Sequence, residues 1–252
     1  MTMTLPLPTK RDEAWRYADL KALEAVWPKL DGPEHINVPA GETASRQIAA
    51  LPIIDGVGIV DLDITIGDNA TFALHVLASA ADYGRIQVKA TLGKGAHFEL
   101  GGAIMGSGTQ TLEIVTETIH AQPNATSNQV VRSVLAGKAT GSFLGKVNVA
   151  RDAQKTDAAQ SVKAMLLDRT ATANAKPELE IFADDVKCAH GATVGELDKQ
   201  ALFYMASRGL PPELAQKLML QAFIADAFVS MDDDAAREAI ESKALEVLEH
   251  LS

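Results

Sequence analysis

The stretch IVDLDITIGDN, residues 59–69, carries the pattern on which the fold prediction depends. From Val60 to Ile66 apolar and polar residues alternate, and side chains two positions apart share one face of a β-strand. Gly67, Asp68 and Asn69 follow, and these residue types favour turns. The pattern recurs in the alternating runs at 85–89 and 112–119 and in the glycine-rich runs at 93–95, 101–102 and 106–108. Many short, closely spaced strands predict a sandwich, a barrel or a β-solenoid.

A faint repeat favours the solenoid among these three folds. Similar short sequence segments begin at Ile66-Gly67, Leu92-Gly93 and Leu144-Gly145, and their glycines lie 26 and 52 residues apart. Stacked coils would produce a fixed offset, because each coil buries its inner face on the next one. The run 66–71 also resembles one rung of a hexapeptide-repeat acyltransferase, but an offset of 26 is not a multiple of six. That class of solenoid is therefore disfavoured.

The region after residue 198 has helical signals. Asp198 is a suitable N-cap for a first helix, and Gly209 supplies the left-handed position that ends it. Pro212 suits the first turn of a second helix. The three aspartates at 232–234 complement the dipole of a third helix, and the ligand spacing of an EF-hand calcium loop is absent there.

The chain divides into three predicted zones. An acidic start and a shared apolar face predict a helix over 12–23, which the proline- and glycine-containing stretch 28–33 ends. We expect a mainly β protein with a short N-terminal helical segment at 1–35, a β-helix core at 36–195 and a C-terminal helical domain at 196–252.

Composition excludes several classes of function. The formal net charge is −10, so the surface repels both nucleic-acid phosphates and anionic lipids, and we expect no nucleic-acid and no membrane partner. The single cysteine excludes an intramolecular disulfide, and neither a signal-peptide core nor a membrane-spanning apolar run is visible. These features predict a cytoplasmic protein. No GxxxxGK[ST] phosphate loop is present, so we expect no ATP hydrolysis by this chain itself.

The cysteine, Cys188, is followed two positions later by His190 in a small-residue run that ends at Gly195. In an extended segment both side chains would point the same way, about 6–7 Å apart. A thiolate and an imidazole suit iron, copper or zinc, but a closed metal site normally needs four ligands. Other groups must complete the shell if this pair binds metal. The alternative is that Cys188 is a small buried residue and His190 a structural histidine.

The block 184–209, which contains this pair, resembles the carboxy-terminal signature of the SufB/SufD family, the scaffold subunits of the Suf iron–sulfur cluster assembly machinery. The word Cys188-Ala189-His190-Gly191-Ala192-Thr193 is similar to SufD-type members, whereas SufB-type members tend to carry His-Glu-Ala there. Further similar segments are an amino-terminal opening at 7–17, central repeats at 127–129, 138–149 and 153–158, and the approach to the signature at 176–181.

The resemblance implies a non-catalytic scaffold subunit rather than an enzyme. Such a subunit pairs with SufB through the ends of their β-helices and binds the SufC ATPase through its carboxy-terminal helices. A transient iron–sulfur cluster forms at the SufB–SufD interface, and no cofactor is bound stably by this chain alone. The resemblance places His190 opposite the SufB cysteine as a candidate ligand and makes Cys188 a second candidate.

The resemblance also makes the first C-terminal helix a candidate SufC-binding surface. Its candidate residues are Phe203, Tyr204, Met205, Arg208 and Gly209. The alternative is that Phe203 and Tyr204 anchor the helical hairpin to the core, since helical aromatic residues are more often packed than docked.

Two other functions compete with the scaffold role. Asp61 and Asp63 can share one face of a strand, and paired carboxylates could serve a β-helix enzyme that acts on acyl groups or polysaccharide. Solvated surface carboxylates explain the same pair. A purely structural homodimer could instead use the end of the solenoid as a self-complementary surface.

Overall fold

The chain folds into a solenoid in which successive coils add one strand to each of two sheets. The computed structural model describes residues 6–251. The first sheet contains β1 (Glu34–Val38), β3 (Ile53–Ile54), β4 (Val57–Ile66), β6 (Tyr83–Leu92), β8 (Thr111–His120), β10 (Thr140–Val149) and β12 (Thr172–Ile181). The second contains β2 (Thr43–Ile48), β5 (Thr71–Ala78), β7 (His97–Gly106), β9 (Thr126–Leu135), β11 (Asp157–Leu166) and β13 (Lys187–Gly195). In both sheets the strands of successive coils pair in parallel, while β3 pairs antiparallel with β4.

The space between the two sheets, here called the lumen, is the main core. Alternate side chains of each strand point into it, such as Leu62 and Ile64 from the first sheet and Phe72 and Phe98 from the second. The rings of Phe72 and Phe98 stack with their centroids 6.5 Å apart, because they occupy the same position in neighbouring coils. The prediction of a mainly β protein with a β-helix core and helices at both ends is confirmed.

The length of the coils is not constant. Ile66, Leu92, His120, Val149 and Ile181 stack in register, so successive coils advance the chain by 26, 28, 29 and 32 residues. The offset of 26 between Gly67 and Gly93 is real, and these glycines lie at equivalent turns. Gly145 is not their equivalent, because it lies inside β10 and pairs with Thr116 and Pro177. The third occurrence of the repeat was therefore coincidental.

The glycines at 101 and 102 lie within β7 and do not form a turn, contrary to the prediction. A Cβ atom on Gly101 would lie 2.0 Å from the carbonyl oxygen of Ala227, so only glycine permits this approach. Gly101 therefore marks the place where the C-terminal helical region packs on the solenoid.

The N-terminal segment lies across the outer face of the first sheet. The expected helix over 12–23 is wrong in detail: a 3₁₀ turn spans Glu13–Trp15, and α1 spans Leu20–Val26 after the N-cap Asp19. A second 3₁₀ turn, Trp27–Lys29, contains the proline that follows α1. Asp19 starts α1, because its carboxylate accepts hydrogen bonds from two backbone amides in the first turn of that helix.

A buried charged cluster holds this segment in place. The guanidinium of Arg85 donates to Glu113 at 2.8 Å and to the carbonyl of Ala14 at 2.9 Å. Arg85 also lies 3.7 Å from the centroid of the Trp15 ring, which gives a cation–π contact. Further along, Glu13 forms an ion pair with Lys176 on β12, so the segment reaches the last coil of the solenoid.

Three helices follow the solenoid: α2 (Lys199–Ser207), α3 (Pro212–Ala225) and α4 (Asp234–Glu249). Asp198 caps α2 as predicted, and Gly209 has φ +90° after the end of α2. Among the three aspartates predicted at the start of α4, Asp233 is the N-cap. Helices α3 and α4 pack on the outer face of the second sheet through an apolar cluster. None of the helices within residues 6–251 has the length and apolar character needed to cross a membrane.

Polar contacts fix the turn between α3 and α4 to the sheet. The buried guanidinium of Arg132 contacts the carboxylate of Asp226 at 2.6 Å and donates to the carbonyl of Ser161 at 2.8 Å. The imidazole of His75 lies 3.0 Å from the hydroxyl of Ser230. These contacts join the C-terminal helical region to three strands of the second sheet, β5, β9 and β11.

The lumen becomes polar toward the last coils. At equivalent positions of the second sheet, Phe98 is followed by Ser127, and Leu100 is followed by Gln129. Across the lumen, His120 lies fully buried with its Nε2 atom 2.9 Å from the Ser127 hydroxyl. Burial lowers the pKa of His120 to about 4, because the charged imidazolium would lose its hydration.

This shift predicts that the protein loses stability in mild acid. Between pH 6.5 and about 4 the unfolded chain binds a proton at His120 that the folded chain does not, so the free energy of unfolding falls as the pH falls. The loss attributable to His120 is about 3 kcal/mol over this window. Urea unfolding of wild type and His120→Gln at pH 7 and pH 4.5 measures it. The variant is expected to lose less stability, and His35→Gln at an exposed site serves as the control. Equal losses in wild type and His120→Gln would contradict this account.

Candidate functional site

The last coil leaves one end of the solenoid open. Strand β12 pairs only with β10, and β13 pairs only with β11, so the other edge of each strand has no strand partner within residues 6–251. Pro177 lies in β12, and a proline without an N–H donor is tolerated in an edge strand. The lumen-facing side chains of these two strands are Ala173, Ala175, Pro177, Leu179 and Ile181 on β12 and Cys188, His190, Ala192 and Val194 on β13. We call this surface the open end.

The open end exposes apolar side chains that a further coil would cover. Ile181 is 38% exposed and Val194 is 49% exposed, whereas their neighbours one coil deeper, Val149 and Ala164, are buried. Unpaired strand edges beside exposed apolar side chains are a template for association with another chain. The open end is therefore a candidate interaction surface.

Cys188 and His190 lie on the same face of β13, as the sequence predicted. They stack in register on Ala158 and Gln160 of β11, whose side chains face the lumen. Cys188 is half-buried and packs against a small apolar cluster that includes Val147. Burial raises the pKa of the Cys188 thiol, and a hydrogen bond with the Ala158 backbone opposes part of this rise. The thiol is therefore mostly protonated at neutral pH and must release its proton to bind a metal.

His190 is the more accessible of the two residues. Its side chain is exposed, and the imidazole makes no hydrogen bond to any residue that the structure describes. No group of three or more His, Cys, Asp or Glu side chains within residues 6–251 is arranged to hold a metal ion. A metal at Cys188 and His190 would therefore need further ligands from outside this part of the chain.

The candidate ATPase-facing residues lie on α2, where none of the side chains is buried, and directly after it at Arg208 and Gly209. Phe203 is 77% exposed and Tyr204 is 57% exposed, so neither anchors the hairpin to the core. The guanidinium of Arg208 lies 5.1 Å from the centroid of the Tyr204 ring, next to the chain reversal at Gly209. The half-buried Met205 lies on the same helix. The structure thus presents an aromatic surface on a helix that has no buried side chain.

The carboxylates considered for an enzyme lie elsewhere. Asp61 and Asp63 are on the outer face of β4, near the first coils, and Asp63 is 3.7 Å from the imidazole of His35. Burial raises the pKa of Asp61, with Arg85 opposing the rise. These groups lie on the opposite side of the first sheet from the lumen and are not brought together with Cys188 or His190.

Two glutamines next to the site were missed by the sequence reasoning. Gln160 and Gln129 face the lumen one and two coils away, respectively, from the coil of His190, and they occupy the same position in their strands. A repeated pattern in the sequence could have identified them, in which a small residue is followed two positions later by a polar one. This pattern occurs in Ser127-Asn128-Gln129, Ala158-Ala159-Gln160 and Cys188-Ala189-His190. The spacing of these words is 31 and 30 residues, which is the length of the coils here.

Comparison with known proteins finds similarity to one family, by a family model and by individual relatives. The family model described as SUF system FeS cluster assembly, SufBD core domain, matches residues 55–223. The chain is 36% identical over 121 residues to the iron–sulfur cluster assembly protein SufD of Escherichia coli, covering 48% of this chain and 29% of that protein. It is 32% identical over 133 residues to SufD of Bacillus subtilis, covering 53% and 30%. It is 42% identical over 101 residues to an iron–sulfur cluster assembly SufBD family protein of Synechocystis, covering 40% and 22%. The matched segment spans less than a third of each of these relatives.

Proposed function

This chain belongs to the SufBD family of iron–sulfur cluster assembly proteins, and on that basis we propose that it is a non-catalytic, SufD-type scaffold subunit. It pairs with a SufB-like subunit through the open end and binds a SufC-like ATPase through α2 and the start of α3. The nascent cluster is the cargo of the complex and forms transiently where the two solenoids meet. A cytoplasmic location remains a prediction from the sequence.

The observation that carries this proposal is the open end itself. It combines unpaired edges on β12 and β13, exposed apolar side chains and a metal-competent pair on one surface. A partner with a matching solenoid end would bury the apolar side chains and satisfy the free backbone groups at the same time. Pairing of two solenoid ends therefore supplies both affinity and a shared pocket.

The pair Cys188 and His190 forms half of that pocket. His190 offers an exposed imidazole, and neutral imidazole is a common ligand for iron. Cys188 is half-buried with a raised thiol pKa, so we assign it a secondary role that begins only when a bound metal displaces its proton. The remaining ligands come from the SufB-like partner. Because neither subunit alone supplies all the ligands, this coordination suits a cluster that is assembled and then transferred to another protein.

The ATPase-binding role rests on the exposed aromatic surface of α2. Large aromatic residues without a packing partner are typical anchors of protein–protein interfaces. Asp226, at the end of α3, is joined through Arg132 to β11, and β11 is the strand that supports β13. Movement of the helical hairpin on ATP binding by the partner would therefore reach the open end through a connected set of contacts.

Truncation of the aromatic surface is expected to weaken ATPase binding. Phe203→Ala combined with Tyr204→Ala removes the two exposed rings of α2, and we expect the affinity for the SufC-like subunit to fall at least about tenfold. Isothermal titration with the purified subunit measures the change. Val229→Ala is the matched control, because Val229 is similarly exposed but lies after α3. Equal affinities for wild type and the double variant would exclude α2 as the binding surface.

A homodimer through the open end is the second candidate, because the same unpaired edges can associate with a second copy of the chain. Co-expression of the tagged chain with SufB-like and SufC-like subunits separates the two. The scaffold role predicts a complex containing all three chains, with mass measured by light scattering. A chain that remains a homodimer in the presence of both partners would contradict the scaffold role.

A further inference from the structure

Gln160 is a buried amide without a hydrogen-bond partner. Its side chain points into the lumen from β11 and is 3% exposed. Neither Nε2 nor Oε1 has a partner among the described residues. A buried amide that loses its hydrogen bonds costs about 1–3 kcal/mol, so an unpaired one in a well-packed lumen requires a reason.

The preceding coil, which carries Gln129, shows which hydrogen-bond partners Gln160 lacks. Gln129 occupies the equivalent position and is held across the lumen by Thr116 at 2.8 Å and by Thr118 at 3.0 Å. In the coil of Gln160 the positions of these threonines are taken by Gly145 and Val147. A hydroxyl group is therefore absent on the facing strand at the height of Gln160.

Gly145 also provides the space that the Gln160 amide occupies. A Cβ atom at Gly145 would lie 2.6 Å from Nε2 of Gln160. The amide thus extends across the lumen over a glycine, with its polar atoms beneath the open end. The coil above Gln160 is the last one, and it carries His190 in register with Gln160.

His190 is the polar group best placed to form the missing hydrogen bond with the Gln160 amide. The two residues are direct neighbours on paired parallel strands, which lie about 4.8 Å apart, and both face the lumen side of the sheet. The imidazole of His190 has no hydrogen bond within residues 6–251, as described above. A histidine that binds a metal through one ring nitrogen usually donates the N–H of the other to a carbonyl or carboxylate oxygen. Gln160 offers such a carbonyl oxygen.

We propose that Gln160 is the positioning residue for His190: a change of side-chain rotamer brings its Oε1 atom to one ring N–H, from which it accepts a hydrogen bond, and this leaves the other ring nitrogen unprotonated and directed toward the open end. This inference deepens the proposed role of His190 and rests on it. The hydrogen bond selects one neutral tautomer and one ring orientation before any metal arrives. Gln160 does not touch the cargo and acts only through the imidazole.

The test is nitrogen NMR of the full chain labelled with ¹⁵N-histidine, without partner or metal. The ring signals of His190 are identified by their loss in His190→Ala. We expect one neutral tautomer to dominate in the wild type and the tautomer ratio to fall by about fivefold to tenfold in Gln160→Met. Gln160→Glu restores an acceptor oxygen and is expected to restore the bias. Gln129→Met, one coil deeper with an amide already held by two threonines, is the matched control and is expected to leave His190 unchanged.

An even tautomer mixture in the wild type, or the same ratio in wild type and Gln160→Met, would overturn the inference. If Gln160→Met does not fold, Gln160→Asn makes the same test, because it draws the amide back by one methylene group and is expected to lower the bias. The readout needs no cluster assembly, so it is independent of the scaffold role. A strong tautomer bias together with normal cluster yield in His190→Ala would refute the role of His190 in assembly and leave its contact with Gln160 intact.

Discussion

Replacing Ile181 and Val194 with aspartate is expected to abolish pairing of this chain with a SufB-like subunit. Both side chains lie at the rim of the open end and are 38% and 49% exposed, so the double variant changes little in the isolated fold. In the pair the same positions become buried, and an unpaired carboxylate in an apolar interface costs several kcal/mol. The dissociation constant should rise at least about 100-fold, as measured by sedimentation with the purified subunit.

The opposite end of the solenoid offers a matched control. Ile53 and Ile54 on β3 are 44% and 43% exposed and lie near the first coils. Changing both to aspartate introduces the same charges on a surface of similar exposure. Pairing should survive this change. If the β3 variant lost pairing and the Ile181 and Val194 variant retained it fully, the interface would lie near the first coils and not at the open end.

Replacing His190 with alanine is expected to stop cluster formation without disrupting the complex. The side chain is exposed, so its removal leaves the strand and its neighbours in place. The proposed pocket then loses one of the two candidate ligands on this chain. Loss of groups that merely orient a metal ligand typically costs 10–100-fold in affinity, so loss of the ligand itself should lower cluster yield at least about tenfold. Absorbance of the reconstituted complex during assembly measures the yield.

His35→Ala is the control for this experiment, because His35 is an exposed histidine on β1 at the far end of the first sheet. Cys188→Ala adds a second comparison. Since Cys188 is half-buried with a raised thiol pKa, we expect its loss to lower the yield less than the loss of His190. Normal yield in His190→Ala with intact binding of both partners would remove the proposed role of His190.

The sequence predicted those features that depend on neighbouring residues. The alternation over 60–66 was sufficient for β4, since a period of two is specific to an extended chain with one buried face. Asp198 and Gly209 marked the limits of α2 because capping depends on one or two side chains and a backbone conformation. The side-by-side placement of Cys188 and His190 followed from the same period.

Features that depend on contacts between distant coils were not predicted. In the sequence Gly101 suggests a turn, and only the structure shows that it is required by the close approach of Ala227 from the C-terminal region. Gly145 fits an apparent repeat, yet in the lumen it leaves room for the Phe143 ring and the Gln160 amide. The drift in coil length from 26 to 32 residues hides the register, and without the register the stack of Gln129, Gln160 and His190 cannot be recognised.

The most direct test of the open end is hydrogen–deuterium exchange along β13, residues 187–195, with and without the SufB-like subunit. In the isolated chain the amides on the free edge of this strand face no partner strand and should exchange quickly. Docking of a second solenoid end is predicted to slow their exchange at least about tenfold, while β3 at the other end stays unchanged. Unaltered exchange along β13 in a complex that has demonstrably formed would contradict the account.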